Sequence, residues 1–336
     1  MPQTLLTASF SFCWQALPRV SRSFALGISL LPAGLKDAVM VSYLLFRMSD
    51  TIEDSFLSHP KKRALLRVLQ TQLNTLTPSE RLFKTFITGL DNYNFGRETF
   101  LLHHARDVLF VFFSLPRPIQ QIICHWLTEM NTHVWQYNTK KIRTFAEQNK
   151  YCYYVAGVVG HLLTDLFSFY GQYSTQKKHE LHLLAADFGL ALQKVNIIKD
   201  IYKDVQEKRY YWPLNLLRRY HLTYTTLFLP QQLLQANYVL EDLVADVKHY
   251  ADKTVAYILA LPKRSFRVRL FCGLSLFMAL LSLHTYRRRS YDLFAGTEVK
   301  MPRRRVYLLL LELSLLLHSN LLFHQRYIFL RRRCLE

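Results

Sequence analysis

The stretches Asp50-Thr51-Ile52-Glu53-Asp54 and Asp200-Ile201-Tyr202-Lys203-Asp204 each hold carboxylates three or four residues apart. On a helix, side chains at these spacings share one face and lie ~5–6 Å apart. Two like charges ~6 Å apart repel by about 3 kcal/mol at an effective dielectric constant of ~20. A folded protein tolerates such repulsion where a cation offsets it. The two stretches therefore predict two helices that present carboxylates to a cation.

The sequence around these stretches is typical of a helical protein. Half of the 336 residues are hydrophobic, and only 10 are Gly and 11 are Pro. No run of alternating apolar and polar residues, which would indicate a strand, separates the helical patterns. We therefore predict an all-α fold. The absence of a long linker predicts one catalytic domain over residues 1–336, with an N-terminal helical extension over residues 1–20.

Proline positions and periodicity predict where the helices begin and end. A first helix over 7–16 should end before Pro18, because proline removes a helical hydrogen bond. The periodicity also predicts long, uninterrupted helices over 98–113, 145–170, 177–205 and 303–328.

The formal charge of +19 indicates a basic surface that would meet anionic partners. A non-catalytic basic helical scaffold that binds membrane or nucleic acid therefore stays open as an alternative to an enzyme. Five scattered cysteines without a CxxC pair argue against a disulfide framework or a zinc site, and they indicate a reducing compartment.

Two apolar segments bear on membrane association. The segment 270–283 is 14 residues long, and the segment 306–317 is interrupted by Glu312. Both fall short of the ~20 residues that a spanning helix needs, so we predict two core helices, no spanning helix and a cytoplasmic protein. Arginine triplets at 287–289, 303–305 and 331–333 predict peripheral contact with a membrane.

Projection of the first acidic stretch onto a helix separates a polar face from an apolar one. Asp50, Glu53 and Asp54 lie on the side that also carries Tyr43 and Arg47. The opposite face consists of Val41, Leu45, Met48 and Ile52. Acids mixed with an aromatic ring and one Arg indicate the wall of a cavity rather than a surface that faces water.

The second stretch gives a narrower polar stripe, made of Gln193, Asn196, Asp200 and Asp204 between apolar flanks. Such a track is typical of a buried cleft with a few placed polar groups. Magnesium takes one or two carboxylates plus substrate phosphates, so two acidic helices would suit Mg²⁺ and a diphosphate. Cationic side chains would assist by binding phosphate oxygens. Those near the two stretches are Arg22, Arg47, Lys199 and Arg209.

Two glycines, Gly157 and Gly160, lie in a third predicted helix, where each costs ~1 kcal/mol relative to Ala. The two glycines indicate that another group approaches this helix closely. Either a neighbouring helix packs there, or a substrate chain lies beside Tyr154. Because aromatic faces attract cations, Tyr154, Tyr43 and Phe24 would shelter a carbocation.

Four motifs resemble the squalene/phytoene synthase family in order and spacing. They are Ser21-Arg22-Ser23-Phe24, the segment from Tyr43 to Asp54, Tyr151-Cys152-Tyr153-Tyr154-Val155-Ala156-Gly157, and the segment from Gln193 to Asp204. Arg209 with Tyr211-Trp212-Pro213, and Tyr154 before Val155, look more like squalene synthases than phytoene synthases. The matching segments extend from Ser21 to about Arg305.

The resemblance implies an isoprenoid-synthase fold, a helical bundle around a central cavity. It also implies head-to-head condensation of two farnesyl diphosphates to presqualene diphosphate, followed by NADPH-dependent reductive rearrangement to squalene. A synthase of dehydrosqualene, phytoene or presqualene diphosphate, without the reductive step, is the alternative. The resemblance implies no nucleic-acid partner and no obligate protein partner.

The same resemblance implies a role for each of several residues. Catalysis would depend on Tyr43 and Tyr154, which would steer cations, with Tyr154 in proton transfer, and on Asp50 and Asp200. The Mg²⁺ ligands would be Asp50, Glu53, Asp54, Asp200 and Asp204. The substrate would be bound by Ser21, Arg22, Phe24, Arg47, Gln193, Lys199 and Arg209. NADPH would lie near Asn196, Phe271 and Lys300.

Four residues depart from the pattern of the family. Lys203 stands where an acid is usual and Lys199 where Arg is common, which weakens the expectation for one metal contact. Ser275 replaces a Pro that is usual near the reductant site, and Pro302 falls where a basic residue would help to bind the NADPH phosphate. The reductive step is therefore less strongly implied than the condensation.

Overall fold

The computed structural model describes residues 3–75, 77–90, 93–134, 137, 141–297 and 302–335, without the side chains of 97, 303 and 335. Every regular element within these ranges is a helix, which confirms the predicted all-α fold. The described residues form two compact units, one within Met1–Trp135 and Asp165–Gln172, the other within Gln136–Thr164 and Tyr173–Glu336. The single catalytic domain over residues 1–336 stays a prediction.

The described α-helices are numbered in chain order. They are α1 (Gln3–Val20), α2 (Arg22–Ser29), α3 (Leu35–Asp54), α4 (His59–Leu73), α5 (Glu80–Leu90), α6 (Thr99–His103), α7 (Ala105–Ser114), α8 (Arg117–His133), α9 (Phe145–Cys152), α10 (Val158–Gly171), α11 (Thr175–Lys199), α12 (Ile201–Gln206), α13 (Leu214–Arg219), α14 (Leu233–Ala260), α15 (Phe266–Arg288), α16 (Ser290–Phe294), α17 (Arg303–Leu316) and α18 (Asn320–Leu335). A π-helical turn occupies Tyr153–Gly157, and 3₁₀ turns occupy Gly96–Glu98 and Pro230–Gln232.

The core of the first unit is built around α3. The side chains of Val41, Leu45, Met48 and Ile52 are all 0% exposed, which confirms the apolar face predicted from the periodicity. Full burial of one such side chain contributes roughly 1.5–3 kcal/mol. This face fixes the rotation of α3, so the opposite side of the helix must carry its acids.

The first helix is longer than predicted. It continues through Pro18 to Val20, although the sequence predicts an end near residue 16. Pro18 lies in the last turn, where the missing N–H removes only one helical hydrogen bond. The buried side chains of Cys13, Ala16 and Leu17 hold this end of the helix in place.

Four predicted helices are interrupted. The predicted helix 98–113 divides at His104 (φ −100°, ψ 24°), and 145–170 contains the π-helical turn. The predicted helix 177–205 is broken at Asp200 (φ −95°, ψ 8°), and 303–328 divides into α17 and α18. Hydrophobic periodicity continues across a single irregular residue, so the pattern does not locate such breaks.

Gly160 and Gly189 allow two helical segments of the second unit to approach each other at backbone distance. A Cβ atom on Gly160 would lie 2.0 Å from the carbonyl oxygen of Ala185, and one on Gly189 would lie 2.0 Å from that of Ala156. A Cβ on Gly157 would be crowded by neighbouring side chains. Of the two explanations offered for these glycines, the structure supports helix packing.

Helix α17 is only partly a core helix, contrary to the prediction for 306–317. Leu309, Leu313 and the following Leu317 are buried, whereas the other side of α17 is exposed or half-buried. The sequence is apolar nearly all around this helix, so it does not indicate which side a neighbour covers. Pro302, the residue before α17, has φ −61° and ψ 135° and acts as its N-cap residue.

Three described helical segments are long and apolar enough to cross a membrane by length and composition. They are Phe145–Gly171, Thr175–Lys199 and Phe266–Arg288, and 56%, 56% and 61% of their apolar windows are buried within the protein. The sequence-based length argument was therefore too strict, because it counted only uninterrupted apolar runs. The absence of a spanning helix stays a prediction.

Candidate active site

The first acidic cluster lies at the end of α3, within the first unit. Asp50 and Glu53 are half-buried, and Asp54 is exposed. Burial raises the pKa of Asp50 to about 7, the charge of Asp54 adds to this, and the Arg47 guanidinium opposes it. Asp50 therefore lies in a partly desolvated site next to a second carboxylate, that of Asp54.

Glu98 and Lys62, which the sequence analysis did not single out, also belong to this cluster. The Arg47 Nη2 atom donates a 2.7 Å hydrogen bond to Glu98 Oε1. Lys62 Nζ donates to the main-chain oxygen of Glu53 at 2.5 Å. Burial lowers the pKa of Lys62, against the attraction of the nearby acids. No sequence signal pointed to them, because these partners are 51 and 9 residues apart along the chain.

The segment before α2 lies next to the polar face of α3. Ser21 is the N-cap residue of α2, and its hydroxyl oxygen accepts a 3.4 Å hydrogen bond from the Phe24 N–H. The rings of Phe24 and Tyr43 lie 5.5 Å apart. Burial raises the pKa of Tyr43, and a hydrogen bond with Ser21 and the charge of Arg47 oppose this shift. The structure thus brings Ser21, Phe24, Tyr43 and Arg47 together, with Arg22 exposed beside them.

The second acidic cluster lies at the break between α11 and α12, within the second unit. Lys199 Nζ is 3.2 Å from Asp200 Oδ2. Asp204 is only 7% exposed, and its Oδ1 atom accepts hydrogen bonds from Arg209 Nε and Nη2 at 3.2 and 3.1 Å. Because Asp200 lies at a helix break, the prediction that both acids lie on one continuous helix is wrong, although the Asp204 N–H still donates to the Asp200 carbonyl oxygen at 2.8 Å.

The unusual Lys203 does not turn toward Asp204. Its side chain is 69% exposed, and its Nζ atom lies 3.8 Å from Glu207 Oε1. Glu207 also pairs with Arg209, so this acid adds negative charge that the sequence motif did not show. The substitution of Lys for an acid at 203 therefore leaves the buried carboxylate of Asp204 in place.

The two candidate tyrosines have different surroundings. Tyr154 lies in the π-helical turn, half-buried, with the rings of Tyr153 and Tyr137 at 5.3 and 6.4 Å. Tyr151 is 7% exposed and stacks on Tyr211 at 4.5 Å. Single π-helical turns occur frequently at functional sites. Tyr154 is thus the more accessible of the two.

The residues proposed for the reductant are spread over separate elements of the second unit. Asn196 is half-buried on α11, as is Gln193, which was assigned to the substrate. Phe271 is 2% exposed in the core of α15, and its carbonyl oxygen accepts a 2.9 Å hydrogen bond from Ser275 Oγ. Helix α15 runs through Ser275 without a break. Lys300 lies outside the described residues.

The carboxylates of the two acidic clusters are the residues that could hold a metal ion. Within the described part of the chain, no three His, Cys, Asp or Glu side chains converge as a metal site. Magnesium usually keeps several waters and takes one or two carboxylates plus substrate phosphates. Asp50 and its neighbours suit this requirement. In the second cluster Asp200 also suits this requirement, whereas one carboxylate oxygen of Asp204 already accepts a hydrogen bond from Arg209.

The described residues are helical and carry two acidic clusters with Arg or Lys nearby, as the resemblance to the isoprenoid synthases predicts. A model of the family described as squalene/phytoene synthase matches residues 17–305. The chain therefore belongs to the squalene/phytoene synthase family.

Comparison with curated proteins gives relatives of the same kind. The chain is 32% identical over 294 residues to the squalene synthase of Dictyostelium discoideum, covering 85% of this chain and 66% of the relative. It is 29% identical over 321 residues to that of Schizosaccharomyces pombe, covering 91% and 64%. For the human squalene synthase the identity is 29% over 284 residues, covering 84% and 65%. The chain thus spans just under two thirds of the length of these relatives.

Solved structures extend the comparison to three dimensions. A ligand complex of TcSQS superposes with a TM-score of 0.83 at 27% identity, covering 97% of this chain and 92% of that one. A dehydrosqualene synthase superposes with a TM-score of 0.66 at 22% identity, covering 94% and 98%. The second likeness shows the shared fold.

Proposed function

We propose that the chain is a squalene synthase, which joins two farnesyl diphosphates head to head and reduces the product to squalene. In the first half-reaction a C–O bond of one allylic diphosphate breaks, diphosphate leaves, and the allylic cation bonds to the second molecule with loss of a proton. In the second half-reaction presqualene diphosphate would lose its diphosphate and rearrange, and NADPH, when bound near Asn196 and Phe271, would supply the hydride. The identity of 29–32% to squalene synthases across most of the chain carries the proposal.

Asp50, Glu53 and Asp54 on α3, with Asp200 and Asp204, would hold Mg²⁺. Bound Mg²⁺ would neutralise charge on the leaving diphosphate. The fit rests on the carboxyl of Asp50, which is half-buried beside Asp54 and whose pKa burial raises to about 7. A metal ion there would favour the ionised carboxylate and relieve its repulsion with Asp54.

Cationic side chains would bind the diphosphate oxygens. Arg47 is suited to this because its Nε atom is buried without a hydrogen-bond partner, while its Nη2 atom is held by Glu98. Glu98 would thus orient the guanidinium toward an anion. Arg22 is exposed, and Lys199 and Arg209 border the second acidic cluster. Arginine is favoured in this role because its planar fork matches phosphate oxygens.

Aromatic side chains would shelter the carbocations. Tyr43 and Phe24 form a ring pair next to Asp50 in the first unit, and Tyr154 is the accessible tyrosine of the π-helical turn in the second. Ring faces attract cations without reacting as nucleophiles. Tyr154 would also take part in proton transfer. Ser21 and Gln193 would complete the substrate contacts.

The reductive step has weaker support than the condensation. Asn196 is accessible on α11, but Phe271 is buried in the core, so a nicotinamide ring could contact it only after a local rearrangement. The Pro302 N-cap of α17 supplies no charge for a phosphate. These observations keep a synthase without NADPH, giving dehydrosqualene, phytoene or presqualene diphosphate, as the second candidate.

We also propose a cytoplasmic location at the surface of a membrane, with no nucleic-acid partner and no obligate protein partner. The substrate carries a diphosphate and the product is a hydrocarbon, so an enzyme at the boundary between water and lipid could take up one and release the other. The excess of basic residues, which gives a formal charge of +19, supports attraction to anionic lipid.

Product analysis tests the function. The chain is incubated with farnesyl diphosphate and Mg²⁺, with and without NADPH, and the products are identified by mass spectrometry. Squalene that appears only with NADPH supports the proposal. Presqualene diphosphate or dehydrosqualene that is indifferent to NADPH would assign the second candidate. Strong, salt-dependent DNA binding without diphosphate release would favour the non-catalytic scaffold.

A matched pair of variants tests the first acidic cluster. Asp50→Asn should remove most turnover and keep the helical circular dichroism. Asp37→Asn, a change in the same helix at a carboxylate that accepts a hydrogen bond from Trp14, should keep turnover. Wild-type activity in Asp50→Asn would show that this carboxylate is not an essential metal ligand.

A further inference from the structure

Helices α17 and α18 of the second unit carry an unusual number of exposed apolar side chains. On α17, Tyr307, Leu311 and Leu315 follow one another at four-residue spacing, so they share one side of the helix. We call the following set the exposed apolar face, and its members are 48% to 68% exposed: Tyr307, Leu308, Leu311, Leu315, Leu321, Leu322 and Phe329. Single exposed apolar residues are ordinary, but clusters of them mark interaction sites.

The charged residues on α17 and α18 are mostly basic. The exposed Arg304 and Arg305 lie at the start of α17, and the exposed Arg332 and Arg333 lie at the end of α18. Glu312 is the single acid between residues 303 and 335. Its two carboxylate oxygens are bound by the guanidinium of Arg326. The face is therefore apolar in its middle and cationic at its ends.

We propose that the exposed apolar face binds the surface of a bilayer that contains anionic lipid, with α17 and α18 lying in the interface. An interfacial helix buries its apolar side among the headgroups and acyl chains, while arginines bind the lipid phosphates. A lipid surface matches both the apolar and the cationic parts of this face. The inference rests on the proposed location at a membrane, and its measurement does not require turnover.

The same contact would not need the three most apolar helical segments. More than half of the apolar window of each is already buried within the protein, so inserting one of them would expose core surface. The exposed apolar face, in contrast, loses only water when it meets lipid. The membrane contact that the sequence predicts from its arginine triplets is thereby narrowed to α17 and α18.

Vesicle sedimentation with a matched pair of variants tests the proposal. The full chain is spun with vesicles of phosphatidylcholine alone or mixed with phosphatidylserine. Leu315→Asp changes a leucine that is 68% exposed on the face, and Leu183→Asp changes one that is 70% exposed on α11. Because withdrawing one leucine from water contributes about tenfold to partitioning, Leu315→Asp should weaken binding at least ~10-fold, while Leu183→Asp binds like the wild type.

A second pair of changes tests the electrostatic part. Replacing Arg332 and Arg333 by Gln should weaken binding to the mixed vesicles about fivefold for each arginine removed and reduce its dependence on salt. Binding to phosphatidylcholine alone should change little. Turnover in detergent solution should remain in all these variants, so failure of the catalytic proposal would be seen separately.

Three results would overturn the inference. The first is that the wild-type chain fails to sediment with mixed vesicles. The second is that Leu315→Asp and Leu183→Asp bind the vesicles equally well. The third is that the two Gln changes leave vesicle binding unaltered. Analytical ultracentrifugation supplies the rival outcome. A dimer that Leu315→Asp dissociates, without any vesicle binding, would assign the face to a second copy of the chain.

Discussion

Lys194 provides the sharpest test of the energetics of the second unit. Its side chain is 2% exposed, its Nζ atom donates to Gln148 Oε1 at 2.9 Å, and it forms an ion pair with Asp246. The rings of Tyr250 and Phe145 lie 5.0 and 5.8 Å from the ammonium nitrogen. Aromatic rings and one carboxylate thus replace the water that a lysine normally keeps.

The two ways of breaking this pair should differ in cost. Removing one partner of a buried ion pair costs about 3–5 kcal/mol, because the other charge stays buried. Asp246 is 21% exposed, so water can hydrate it in Lys194→Met, and we expect a loss of about 3 kcal/mol. In Asp246→Asn the more deeply buried ammonium is left behind, so the loss should approach about 5 kcal/mol. The double variant, Lys194→Met with Asp246→Leu, should lose less stability than the two single variants lose together.

Thermal and urea unfolding, followed by circular dichroism, measures these differences. Lys253→Met is the control, since the Lys253–Asp187 pair is 3.5 Å long and the lysine side chain is 42% exposed. An exposed pair contributes about 1 kcal/mol or less. The reasoning is refuted if Asp246→Asn costs less than Lys194→Met, or if the double change costs the sum of the single ones.

Three further outcomes are expected. Gly189→Ala should destabilise the fold by about 3 kcal/mol or more, because its Cβ would lie 2.0 Å from a backbone oxygen. Gly273→Ala, whose Cβ would lie 3.4 Å from a side chain, should be close to neutral in the same unfolding assay. Tyr154→Phe should lower turnover more than Tyr151→Phe, and the reverse order would mean that the wrong tyrosine was chosen. For Asp50 in Mg²⁺-free solution, the folded pKa of about 7 exceeds the unfolded value, so the folded state binds more protons and loses stability as pH rises between the two values. Asp50→Asn should therefore stabilise the fold by about 2 kcal/mol more at about pH 8 than at about pH 5.5, and an equal gain at both pH values would contradict the shift.

Much of the first acidic cluster could be predicted because its pattern is local. The spacing of Asp50 and Asp54 and the apolar residues on the opposite side of α3 come from one helix, and the structure agrees with both. The second cluster was predicted less well. Its acids are present, but the helix break at Asp200 and the pairing of Asp204 with Arg209 were not expected.

The residues that were missed have partners far away along the chain. Glu98 is 51 residues from Arg47, and Asp246 is 52 residues from Lys194. Lys194 even lies within a recognised motif, yet nothing in the motif indicates that its ammonium group is buried. Helical periodicity reports only which residues share a side of one helix, so it does not identify the group that meets that side.

The sequence by itself determined the helical class, the buried side of α3, the two acidic clusters and the four family motifs. Each of these depends on residue types at short, fixed spacings. Tertiary structure alone decided that α17 buries Leu309 and Leu313 while Leu311 and Leu315 stay exposed, since all four are leucines. Burial is a property of what packs against a side chain, and for the two acidic clusters it separates the half-buried Asp50 from the nearly buried Asp204.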